Sequence, residues 1–143
     1  KYKNRINLYY SINRQFIRCD ELDENLKIIR SYDCLEANLK NEKFSIYAPN
    51  VIKINNLLVM FYSAWKSDMI GNINIAISSD GLTWNKIKQD IINLDKNISI
   101  ISEPFMIKVK NFYKVYFEYK TKNYWNISYL NISNENFLNL ITN

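Results

Sequence analysis

Residues 48–63 read APNVIKINNLLVMFYS and residues 103–118 read EPFMIKVKNFYKVYFE. Laid on one another, Pro49 meets Pro104, Lys53 meets Lys108, Asn56 meets Asn111 and Tyr62 meets Phe117, so the chain repeats at a spacing of 55 residues. A shorter copy stands near the start, where NLYYS (7–11) matches VMFYS (59–63). Repetition at this period marks a modular fold, in which each unit buries a face against its neighbour.

Periodicity says what the unit is. Asn72-Ile73-Asn74-Ile75-Ala76-Ile77-Ser78 alternates polar and apolar residues, as a strand with one buried face does. Residues 109–119 are β-branched and aromatic. Asp80-Gly81 follows the alternating run and precedes Thr83-Trp84, a strong hairpin signal. Turn residues recur at Asp23-Glu24-Asn25 and Asn134-Glu135-Asn136, so the turns keep the spacing.

A unit of about 50 residues with four short antiparallel strands is the signature of a β-propeller blade. The expected strands are 46–54, 57–64, 72–78 and 83–88 in one copy, and 105–109, 112–119, 125–132 and 137–141 in the next. The expected fold is therefore all-β: a propeller of four-stranded antiparallel blades near 1–44, 45–95 and 96–143, forming one domain without a long helix.

Composition narrows the chemistry. The chain has 143 residues, one domain's worth, with 48% hydrophobic and 23% charged residues, which is globular composition. No apolar run approaches the roughly 20 residues of a spanning helix. The net charge is +5, but the lysines are scattered rather than clustered, so neither a nucleic-acid partner nor a membrane is expected. Asn97, Asn126 and Asn131 open Asn-Ile-Ser triplets, a glycosylation pattern that so Asn-rich a chain produces by chance. The sequence leans to the cytoplasm, with the natural start free to lie upstream of Lys1.

There is no His, which removes His-activated nucleophiles and His-containing zinc sites. Cys19 and Cys34 lack a base and are too few for a Cys-only zinc site. They read as small buried apolar groups, with a disulfide left open. Catalysis, if present, rests on carboxylates, Tyr or Lys, with no metal and no cofactor expected.

The order APNVIKINN, MFYS, IAISSDGLTW, SEPFMIKVKNFYKVYFE resembles the five-bladed propeller glycosidases of families 43 and 32. Those chains repeat a Pro-containing inner strand, a Tyr-rich second strand ending in Tyr-Ser, and a Ser-x-Asp-Gly-x-x-Trp hairpin. The resemblance covers most of residues 45–133. It implies about three blades of a five-bladed ring, carboxylate acid/base chemistry and a carbohydrate substrate or ligand. The remaining blades, or self-association, are expected to complete the ring.

Two departures matter. Glu103 abuts Pro104 directly, where the family usually has a residue between them. The residue before Pro49 is Ala48, and no Asp-Pro is present, so the partner carboxylate is expected outside this segment. The alternative is a non-catalytic module that binds carbohydrate or protein through the same rim.

The resemblance puts the active-site funnel at the start of the innermost strands. Glu103 is then the candidate proton donor, and its apolar followers Pro104-Phe105-Met106 favour a neutral acid. Tyr47, Asn50, Trp65 and Glu118 are the candidate ligand contacts on that rim. Trp125 is a further aromatic, Tyr62 reads as core, and Asp68 as loop. Asp80 falls on the opposite rim as a hairpin corner, with Trp84 packed between sheets.

Overall fold

A computed structural model of the chain describes residues 5–92 and 97–142, the side chain of Thr142 excepted. Strands β1 (Ile6–Ile12), β2 (Phe16–Leu22) and β3 (Ile28–Glu36) form a first antiparallel meander. A single 3-10 turn, Lys40–Glu42, leads into a second meander of β4 (Ser45–Ile54), β5 (Leu57–Ser67), β6 (Ile70–Ser78) and β7 (Asn85–Lys88). The third holds β8 (Ile100–Val109), β9 (Phe112–Lys120) and β10 (Trp125–Ser133), followed by helix α1 (Asn134–Thr142).

The all-β, antiparallel architecture agrees with the reading of the sequence, with three differences. The first meander has three strands, not the expected four. The second and third meanders are not separate sheets: one parallel pair, Gly71 with Ile100, joins them, and Gly71 N donates to Ser99 O at 3.2 Å. The chain reaches β8 by passing beside the start of β6. Residues 137–141, expected as a strand, are helix. Asn134-Glu135-Asn136 lacks the glycine that follows Asp80. Instead, Ser133 Oγ accepts from Asn136 N at 3.2 Å, and Glu135 sits in the first turn, where a negative charge is favoured. Phe137, Leu140 and Ile141 are spaced for a helix face, and Phe137 and Ile141 are buried.

The repeat is also written in the backbone. Ala48 (φ 50) and Glu103 (φ 53) both take the left-handed conformation before a proline, and both lie in a bulge that interrupts the pairing of β4 with β5 and of β8 with β9. The following two-residue turns, Asn55-Asn56 and Lys110-Asn111, each start left-handed as well, at φ 53 and φ 49. Such conformations cost a non-glycine residue about 1–3 kcal/mol, so their coincidence at one spacing reflects a shared constraint.

The core has two parts, split by the alternation of β5. Val59 and Phe61 face the third meander, packing with Ile73, Ile75, Met106, Val115, Phe117 and Phe137. Met60, Tyr62 and Ala64 face the first, packing with Ile17, Cys19, Cys34, Leu35, Ile46 and Trp84. Both cysteines are free and buried, and burial pushes the Cys34 thiol up to about 12.

Glu42, fully buried, ties the linker between the first two meanders to the second. Its Oε1 accepts from Tyr62 OH at 2.7 Å and Asn74 Nδ2 at 3.0 Å. Its Oε2 accepts from Asn38 N at 3.1 Å, Leu39 N at 3.0 Å and the Lys86 ammonium. Burial works to raise its pKa, but the bonds from Lys86, Tyr62 and Leu39 outweigh it and hold the carboxyl below its ordinary value.

Replacing Glu42 with Gln leaves the largely buried Lys86 cation without its counter-charge. Urea unfolding at pH 7 should show a loss of about 3 kcal/mol or more. Because the folded pKa is depressed, this contribution is present above about pH 4 and disappears as pH falls through the folded value, so wild type and variant should converge in acid.

Candidate functional site

The starts of β4 and β8 and the ends of β5 and β9 meet on one rim, because the start of each meander's inner strand lies beside the end of the next strand. There they enclose a cavity of about 320 Å³. Tyr47 comes from β4, Trp65 from the end of β5, Ser102 and Glu103 from β8, Glu118 from β9 and Trp125 from β10. The first meander adds Ser11 and Arg14, whose turn is pinned by Ile46 N donating to Arg14 O at 2.7 Å.

Trp65 is a held side chain. It lies edge-on to Tyr47 (5.5 Å, 72°) and parallel to Phe44 (6.2 Å, 15°). Gly71 backs it so closely that a Cβ there would stand 2.5 Å from the indole. The indole Nε1 is buried without a hydrogen-bond partner, on the edge that packs against Gly71. Burial raises the Tyr47 pKa, so its hydroxyl stays a donor.

Glu103 sits at the mouth of the cavity, and its backbone N donates to Ser63 Oγ at 2.8 Å, fastening β8 to the end of β5. The apolar surroundings expected for it are absent: Glu103 is exposed, and so is Phe105. The left-handed bulge turns this corner of the strand outward. Glu118, opposite Ser102 in the β8–β9 register, is the half-buried carboxyl. Burial first, and the Glu103 charge second, raise its pKa.

The structure therefore brings Tyr47, Trp65, Glu103 and Glu118 together, with Trp125. It does not bring Asn50, which lies outside the cavity. Its Oδ1 accepts from Met106 N at 2.9 Å and ties β4 to β8. Ala48 occupies the bulge position equivalent to Glu103 and offers only a methyl group. Ser11, Arg14 and Ser102 were not singled out in the sequence. Ser11 had a signal, since it is the repeat partner of Ser63, whereas Arg14 had none.

Asp80 is a turn corner, as expected. Its Oδ1 accepts from Leu82 N (2.8 Å), Thr83 N (2.9 Å) and Ser78 Oγ (2.9 Å), and these bonds, Thr83 first, lower its pKa. The Gly81 carbonyl accepts from Trp84 Nε1 and Tyr9 OH, both at 3.1 Å, and Trp84 meets Tyr9 edge-on between the first two meanders. A larger groove of about 780 Å³ lies on this opposite rim, but its carboxylates are engaged: Asp80 by the turn, Glu21 by Arg5 and Arg30. Among the described residues no group of three or more acidic or Cys side chains could hold a metal, and no helix is long and apolar enough to cross a membrane.

No family model matches the chain, and no curated protein matches it in sequence. Solved structures do match it in fold. An α-L-arabinofuranosidase from Lactobacillus brevis superposes with a TM-score of 0.77 at 11% identity, over 95% of this chain and 48% of its own. A sucrose-6-phosphate hydrolase from Lactobacillus gasseri gives 0.69 at 20%, over 82% and 26%. A thermostable family-43 glycoside hydrolase gives 0.70 at 18%, over 94% and 55%. The chain shares its fold with part of glycoside hydrolases of families 32 and 43. At these identities the likeness is one of fold, and the chain spans about a quarter to just over half of each structure.

Removing the Glu103 charge while keeping its shape should ease ionisation of Glu118. In Glu103→Gln the Glu118 pKa should fall, as followed by carboxyl ¹³C titration, while staying above the ordinary value because the burial contribution remains. An unchanged Glu118 titration would separate the two carboxyls.

Proposed function

We propose that this cavity binds a glycan and that the protein is a glycoside hydrolase-like propeller in which Glu103 donates a proton to the leaving oxygen. The observation that carries this reading is the convergence of two carboxyls, Glu103 and Glu118, with Tyr47, Trp65 and Trp125 in one rim cavity. Aromatic rings offer flat apolar surface to the C–H faces of a sugar, and the few polar groups fix its hydroxyls. Glycoside cleavage needs two carboxylates and no His.

Glu103 takes the donor role because it stands at the mouth, at the head of the inner strand. Glu118 lies beside Ser102, and with its raised pKa it offers a hydrogen bond to a sugar hydroxyl over a wider pH range than an ordinary carboxyl. The carboxylate that activates water or attacks the sugar is assigned to a part of the protein outside Lys1–Asn143, with the remaining blades of a five-bladed ring. The scattered lysines support neither a nucleic-acid nor a membrane partner.

Ala48 favours a second reading. The second meander repeats the bulge of the third but carries no carboxyl there, as in a module that binds glycan without cleaving it.

Kinetics on the complete gene product separate the two. General acid catalysis contributes about 10²–10⁴-fold, so Glu103→Gln should lower turnover of a natural glycoside by about that factor and leave sugar binding largely intact. An activated aryl glycoside needs little protonation and should suffer far less. Equal losses on both substrates would remove Glu103 from the donor role. Saturable sugar binding without turnover in the wild type would establish the binding module.

A further inference from the structure

The bulge that carries Glu103 drops out of the β8–β9 ladder. The register passes from Ser102 opposite Glu118 directly to Phe105 opposite Tyr116, so Glu103 and Pro104 have no partner on β9. The second meander supplies two side-chain acceptors instead. Ser63 Oγ accepts from Glu103 N at 2.8 Å, and Asn50 Oδ1 accepts from Met106 N at 2.9 Å. One bond grips the first residue of the bulge and the other the strand just beyond it. Backbone N–H groups withdrawn from water need acceptors, and here both acceptors belong to the unit that also presents Tyr47 and Trp65 to the cavity.

The repeat separates this clamp from the bulge itself. Ala48 takes the same left-handed conformation before Pro49, yet among the described residues no side chain of the first meander bonds to its backbone. The bulge forms without a clamp, so the clamp of the third meander does something else: it sets where the bulge stands against its neighbour. Its residues are not dictated by the repeat either. At the 55-residue spacing Asn50 matches Phe105, which has no acceptor, and Ser63 matches Glu118. Ser63 is fully buried, and neither side chain lines the cavity, so each acts on a ligand there only through the residues it holds.

We propose that Asn50 and Ser63 are positioning residues for Glu103, holding its backbone to the second meander so that the carboxyl stands at a fixed place beside Tyr47 and Trp65. This rests on the proton-donor reading above. The Glu103 side chain is exposed, so packing does not hold it, and its backbone is what the fold can fix. A general acid works only within hydrogen-bond reach of the leaving oxygen, and a misplacement of about 1 Å can cost about 100-fold in rate.

Asn50 gives the cleaner test, because Ser63 stands opposite Tyr47 in the β4–β5 register and its removal touches a cavity residue directly. In the complete gene product, Asn50→Ala should lower turnover of a natural glycoside about 10-fold or more, with KM nearly unchanged, and largely spare an activated aryl glycoside. Asn50→Asp keeps an acceptor oxygen and should recover most of the loss. In a Glu103→Gln background, Asn50→Ala should cost little further, since the acid it positions is already gone. Amide hydrogen exchange reads the clamp without turnover: Asn50→Ala should speed exchange at Glu103 as well as at Met106. Circular dichroism checks the fold, and Ser63→Ala repeats both measurements if Asn50→Ala does not fold. Equal losses on both glycosides, a full further loss in the Glu103→Gln background, or an unchanged Glu103 amide overturns the positioning role and leaves the donor reading standing. A Glu103→Gln variant that shows no dependence on the leaving group removes the donor reading, and the positioning role with it.

Discussion

A single buried carboxylate fixes the linker between the first two meanders to the second. Glu42 enters the interior from the 3-10 turn between them and meets donors from four directions: the linker amides of Asn38 and Leu39, Tyr62 on β5, Asn74 on β6 and Lys86 on β7. A carboxylate buried without these partners would be forced to take up a proton. With them, the linker is fixed to the sheet that presents Trp65 and Tyr47 to the cavity. Asn50 and Ser63 extend the fixation to the third meander through Met106 N and Glu103 N. The geometry of the rim thus depends on polar contacts that join units, laid over the apolar packing that forms them.

The parts of the fold that were legible in the sequence are those imposed by the backbone. Proline at 49 and 104, the paired turns at 55–56 and 110–111, and Asp80-Gly81 each satisfy a local geometric demand, and the alternation of β6 follows from its pleat. The same logic misplaces residues 137–141, because a short apolar cluster fits either period until Ser133 caps it as a helix. Glu42 escaped notice for a different reason. Its donors lie up to 44 residues away, and nothing local separates it from a solvated loop glutamate.

The site was legible to the same extent. Tyr47, Trp65, Glu103 and Glu118 are strand-end residues, so strand order and rim assignment were enough to group them. Asn50 follows the bulge, and the two residues skipped there carry its side chain out of the cavity and onto β8. Which carboxyl is the less solvated could not be read from neighbours in sequence, since Pro104 and Phe105 flank Glu103 in the chain without covering it. The cover lies over Glu118, set by the register of β9.

The central claim is that the rim cavity receives a sugar, and ligand titration followed by ¹H–¹⁵N chemical shifts addresses it most directly. A series of pentose and hexose oligosaccharides should perturb the Trp65 and Trp125 indole signals together with the amides of Tyr47, Glu103 and Glu118, saturating at one common affinity. Saturable shifts confined to Arg5, Lys53 and Leu82 on the opposite rim would contradict the account, as would no saturable shift at all.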